Sequence, residues 1–170
     1  MDPDFRALQV IAEVSLGIVG FSAILIGLSR SKDGFSSPDT FRIQLLTFSA
    51  FGAMFCSLVP FAVFNGTSIS TGWKIVSAIL CAYSFLGLNI FPRKVLNLRS
   101  EGYKDLFPLK LVFIQIGILI SIFLLSGSLL FGLFEQKNTI YLICLMLFVL
   151  QSTIASVSYT HLTLPTIVGV

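Results

Sequence analysis

Residues 111–134 read LVFIQIGILISIFLLSGSLLFGLF, a long apolar stretch without one acid or base. A helix needs about 20 mostly apolar residues to cross the hydrocarbon of a bilayer, and this stretch supplies them. Working outward, residues 139–156 form a second such run, and residues 75–91, 43–64 and 7–28 form three more toward the chain start. The whole chain repeats the message. Of its 170 residues 55% are hydrophobic and 11% are charged, with 17 Phe and a mean hydropathy of +0.94. Soluble domains carry about 25% charged residues, and one core in a chain this short cannot hide so much apolar surface. The pattern predicts an all-α, polytopic transmembrane bundle of about five spanning helices, a single domain over residues 1–156.

Local signals set expected ends. Ser37, Pro38 and Asp39 combine an N-cap serine, a proline in the first turn and an acid beside the helix N-terminus. Pro108 opens the fourth helix and Asn138 caps the fifth, while Pro92 ends or kinks the third and Pro60 kinks the second. The first run is expected to be a retained helix rather than a cleaved leader. Asp2 and Asp4 precede it beside a single Arg6, and no small-residue cleavage pattern follows Leu28.

Charge gives an expected orientation. Arg30, Lys32 and Arg42 flank the connection 29–42, and Arg93, Lys94, Arg99, Lys104 and Lys110 the connection 92–110. The opposite side has Arg6, Lys74 and Lys137. Cytoplasmic connections are enriched in Lys and Arg, so both basic connections are expected in the cytoplasm and the N-terminus outside.

The tail has another character. Residues 157–166, VSYTHLTLPT, resemble a translated sequencing adapter, the transposase end of shotgun libraries. GTC TCT TAT ACA CAT CTG ACG CTG CCG ACG encodes them residue for residue. Residues 157–170 are therefore expected to be a non-native tail and are set aside from fold reasoning, together with His161, the only histidine.

Few residues remain that carry chemistry. Glu13 is the one ionisable group well inside an apolar run, and intramembrane acids cost about 2.5–3.5 kcal/mol at mid-bilayer on insertion scales. Gln9 lies one turn before it on the same face, and Lys74 is its candidate partner by depth. These three make a candidate ligand or proton site, or else an interfacial ion pair. Thr47, Asn89, Gln115 and Gln151 lie near the cytoplasmic ends of their helices and form a candidate inner polar layer. Ser49, Ala53 and Ser57 make a small-residue stripe, and Ala23 with Gly27 repeats its four-residue step. Such faces let helix backbones approach closely, within one chain or between chains. Cys56, Cys81 and Cys144 lie in apolar runs without a metal-type neighbour and read as small hydrophobes. No phosphate loop, HExxH or GxSxG pattern occurs, so no metal, cofactor, catalytic group or nucleic-acid partner is expected. Arg42 at the inner interface reads as an ordinary snorkelling residue.

The stretch 20–28 (GFSAILIGL), Ser37-Pro38-Asp39, 41–46 (FRIQLL) and 58–61 (LVPF) resembles an uncharacterised family of small bacterial multi-pass inner-membrane proteins. That resemblance covers about a third of the chain. It implies an inner-membrane location and carries over no catalytic residue.

Two activities fit. The first is a non-enzymatic protein whose partners are the lipid bilayer and either itself or another membrane protein, met by helix packing. The alternative is a small transporter or channel subunit using Glu13 and the inner polar layer. Both require hydrocarbon around the apolar runs. Carbonate-washed membranes should therefore retain the chain in the pellet, and its release without detergent would refute the reading.

Overall fold

The computed structural model describes residues 2–28 and 36–163. Arg30 and Lys32, and Pro165 in the tail, lie outside the described residues. The described residues form five helices: α1 Phe5–Leu28, α2 Ser37–Val63, α3 Ile69–Ser100, α4 Leu109–Leu130 and α5 Lys137–Thr163. Even α4, the shortest at 22 residues, is about 33 Å long at 1.5 Å per residue, against about 30 Å of hydrocarbon. All five are apolar enough to span.

The surface agrees with lipid as the solvent. Phe113 is 70% exposed, Leu124 63% and Met146 61%, positions where water would penalise each ring or chain. The interior instead collects small polar residues: Ser15, Ser49, Ser57, Ser77, Ser84, Ser126 and Ser152 are buried. Most close locally. Ser57 donates to the Met54 carbonyl at 2.8 Å and Ser152 to that of Val149 at 2.7 Å. Large apolar residues outside and small ones between helices is the packing rule of membrane bundles. The chain is a multi-pass helical membrane protein.

Successive helices run antiparallel through short connections. At one end the Asp4 amide donates to Asn138 Oδ1 at 3.0 Å, bringing the starts of α1 and α5 together. At the other end, Lys94 donates to Gln44 Oε1 at 2.7 Å and joins α2 to α3. This second end carries Arg42, Arg93, Lys94, Arg99, Lys104 and Lys110 and is the basic end. Helices α2 and α5 form the centre. α2 packs against α1, α3 and α5, and α5 against α1, α2 and α4, while α3 pairs with α4.

A proline organises the α2–α5 contact. Pro60 lies inside α2 and has no N–H, so the carbonyl four residues before it loses its helical donor. That carbonyl belongs to Cys56, and Tyr141 Oη donates to it at 2.6 Å. Tyr141 is 1% exposed and packs edge-on against Trp73. Tyr83 on α3 donates to the Phe48 carbonyl at 2.8 Å, and its ring stacks on Phe48 at 4.4 Å. Gly52 leaves room for that ring, since a Cβ there would overlap Tyr83.

Several ends differ from their sequence-based limits. α3 does not stop at Pro92 but continues to Ser100, because Phe91, Val95 and Leu98 stay buried on one face and reward continuation. α2 is capped by Ser36 rather than Ser37: Ser36 Oγ accepts from the Asp39 N–H at 3.3 Å. α5 starts at Lys137, so Asn138 lies inside it and turns its side chain to α1 instead of capping. α5 also runs beyond residue 156 to Thr163. Ser68 caps α3 through the Thr71 N–H, a start the apolar run alone did not mark.

The proline and the tyrosine should be energetically coupled. Tyr141→Phe leaves the Cys56 carbonyl unpaired and should cost about 1–3 kcal/mol in unfolding experiments in detergent. In a Pro60→Ala background, where Ala supplies the missing N–H, the same substitution should cost clearly less. Equal costs in both backgrounds would refute the coupling.

Candidate functional site

The polar residues occupy three separate places. The first is the outward face of α1. Asp4 Oδ1 caps this helix by accepting from the Ala7 N–H at 3.1 Å. Two turns on, Gln9 Nε2 donates to Glu13 Oε1 at 2.9 Å, and both side chains are exposed. Glu13 is about 12 Å along the axis from Phe5, within the apolar span Phe5–Ile24. Lys74 is also exposed, on α3. Among the described residues the one ion pair is Arg42–Asp39, so Lys74 makes none with Glu13. The structure brings Gln9 and Glu13 together and leaves Lys74 on a different helix.

The second place is inside the bundle toward the basic end. Gln151 is 0% exposed, and neither its Nε2 nor its Oε1 has a hydrogen-bond partner. Together with the half-buried Gln115 it lines a cavity of about 10 Å³ between α2, α3, α4 and α5. The other two residues of the expected polar layer do not line it. Asn89 donates to the Phe85 carbonyl of its own helix at 2.8 Å, and Thr47 is half-buried on α2.

The third place is the basic end itself. An open cleft of about 370 Å³ is lined by Ser37, Thr40, Gln44, Lys94, Asn97 and Glu101, with Phe41 in its wall. Beside it, Arg42 is 4% exposed and does not snorkel. Its guanidinium donates to the Leu106 carbonyl at 3.1 Å, lies 5.1 Å from the Phe107 ring centre and pairs with Asp39 at 3.5 Å. The planar cation suits a flat ring on one side and a carbonyl at its edge. Arg99 donates to the neighbouring Phe107 carbonyl. Two arginines thus hold the connection after α3, where Gly102 supplies a φ of 105° that other residues rarely adopt.

The small-residue stripes also separate. Ser49, Ala53 and Ser57 are 0% exposed and serve contacts within the chain. Ala23 and Gly27 are exposed, and a Cβ built at Gly17, Gly20 or Gly27 meets nothing within 4 Å. Among the described residues no group of three or more His, Cys, Asp or Glu is placed to hold a metal ion. Sequence reasoning passed over Tyr141 and Phe41. The i, i+4 relation between Cys56 and Pro60 was a usable signal for an acceptor in need of a donor, though nothing local named Tyr141. No family model, curated protein or solved structure matches the chain.

Replacing Arg42 by Lys keeps the charge but loses the flat contact with Phe107 and the geometry toward Leu106. Arg42→Lys should lower unfolding stability by about 1–2 kcal/mol and speed proteolysis between residues 101 and 108. Unchanged cleavage there would show that Arg42 does not hold this connection.

Proposed function

We propose that the chain acts by helix packing, with itself or with a membrane partner, in the inner membrane of a bacterium and without catalysing a reaction. Its N-terminus is outside, and connections 29–42 and 92–110 are cytoplasmic. The orientation rests on the basic residues clustered at one end of the bundle and on their preference for the cytoplasmic side.

One observation carries the packing reading. Gln9, Glu13, Leu16, Gly20, Ala23 and Gly27 are all exposed on α1, at alternating steps of four and three residues. That spacing makes a continuous seam for a second helix. Glycine and alanine allow close backbone approach, and Gln9 with Glu13 offers a donor and an acceptor worth about 0.6–2 kcal/mol per bond across such a contact. The separation of Glu13 on the outside from Gln115 and Gln151 on the inside favours packing over a transport path, which needs polar groups in one continuous line.

Gly20→Leu tests the seam directly. The added side chain has space in the isolated chain, so thermal stability in detergent should be unchanged. Association in membranes should fall sharply, read as loss of disulfide-linked product from an Ala23→Cys variant in a background without the natural cysteines. An Ala23→Cys protein that forms no crosslinked product with itself or with any other membrane protein would overturn the reading. Glu13→Gln should leave association largely intact, because the amide still accepts. A loss of pH-dependent solute flux in that variant would instead establish the transporter alternative.

A further inference from the structure

The cleft at the basic end holds two opposite charges that do not meet. It lies between the start of α2 and the end of α3. Residues 37, 40, 41 and 44 follow one face of α2, and residues 94, 97, 98 and 101 one face of α3, at steps of three and four. The helices run antiparallel, and Lys94 donates to Gln44 Oε1 at 2.7 Å. That pair closes the membrane-facing floor of the cleft. Ser37 and Glu101 are each seven residues farther out, about 10.5 Å along the axis, and form its mouth. Thr40 and Asn97 lie between floor and mouth.

The depth matches lipid headgroups. Lys94 and Glu101 lie about 4.5 and 15 Å beyond Phe91, the end of the apolar run, and the headgroup layer takes about 5–8 Å on each side of the hydrocarbon. The floor of the cleft is therefore in that layer, and the mouth faces water. On the membrane side of the floor, Phe51 on α2 and Ile90 on α3 are exposed and offer acyl chains an apolar surface. The cleft volume of about 370 Å³ suits a small ligand.

The charges select the headgroup. Gln44 is neutral and takes one of the three N–H donors of Lys94, so the positive charge at the floor is not cancelled. Glu101 is exposed and makes no ion pair among the described residues. It is also the C-cap of α3, where the helix dipole disfavours an acid and favours a cation. The start of α2 across the mouth is already served by Ser36 and Asp39. One cation below one anion fits a zwitterion, while Glu101 repels a headgroup of several negative charges. A carboxylate accepts hydrogen bonds from a primary ammonium and none from a quaternary one. The one aromatic wall, Phe41, is buried with its ring edge-on to Phe91 and Phe107, so it makes no cage for a quaternary ammonium.

We infer that this cleft binds the headgroup of a phosphatidylethanolamine-type lipid, with its phosphate at Lys94, Thr40 and Asn97 and its ammonium at Glu101. The lipid clamps α2 to α3 at the membrane surface, away from the exposed seam on α1.

Native mass spectrometry of the full-length protein from detergent micelles tests this, with added phosphatidylethanolamine, phosphatidylcholine or phosphatidylglycerol of identical acyl chains. The natural protein should bind the first phosphatidylethanolamine about three- to fivefold more tightly than either other lipid, the scale of an exposed ion pair. Glu101→Gln should erase that preference without weakening phosphatidylcholine, and Glu101→Lys should turn it toward phosphatidylglycerol. Lys94→Gln should weaken all three. Equal binding of the three lipids by the natural protein, or a preference that survives Glu101→Gln, would overturn the site. Binding unchanged in Lys94→Gln would overturn the phosphate contact. Free phosphoethanolamine has the same charges without the chains and should not displace the lipid at equal concentration; displacement would overturn the lipid as occupant in favour of a soluble zwitterion.

Discussion

A missing hydrogen governs the centre of this bundle. Pro60 cannot donate to the Cys56 carbonyl, and in hydrocarbon no water takes its place. The carbonyl has to be satisfied by another helix, and Tyr141 does so. A neutral hydrogen bond adds little where water competes with it. Here the alternative is a bare carbonyl, so the bond determines which face of α5 meets α2 and at what height. The Phe48–Tyr83 stack and the Phe48–Phe148 edge contact follow from that alignment. So does the approach of α3 over Gly52, where only hydrogen leaves room for the Tyr83 ring.

The same solvent explains why the basic end is built so differently from the opposite one. Arg42 enters the protein rather than the headgroups because Asp39, the Leu106 carbonyl and the Phe107 ring replace its hydration. A buried cation without such partners would cost several kcal/mol. Its insertion ties the start of α2 to the connection between α3 and α4. The opposite end relies on backbone-level contacts, such as the Asp4 amide on Asn138. One end is locked by charge and the other by short connections and neutral bonds.

The amphipathic logic of soluble helices was a poor guide to individual faces. Ser49, Ala53 and Ser57 and the pair Ala23 and Gly27 look alike as sequence, since each set offers small residues one turn apart. Only the first set is covered. Glu13 and Gln151 are likewise single polar residues in greasy runs, yet one faces outward and the other is sealed inside. Hydrophobicity cannot separate these cases, because lipid and protein interior are equally apolar. In a water-soluble protein the polar partner of each pair would have announced the surface.

What the sequence determined by itself was the number and type of elements. Twenty-residue apolar runs have one outcome in a bilayer, because every backbone N–H and C=O must be paired within its own segment. Basic connections at one end and prolines at Pro38, Pro60 and Pro108 were equally legible. Helix ends were less so: α3 passed through Pro92 because Val95 and Leu98 found a packed surface to cover, a gain that exists only once α2 and α4 are in place. Tertiary structure alone decided which helix Tyr141 serves, that Arg42 turns inward, and that Gln115 and Gln151 share a cavity while Asn89 closes on its own helix. Each of those outcomes depends on the rotation of one helix against another, which is set by contacts between residues far apart in the chain and has no local trace.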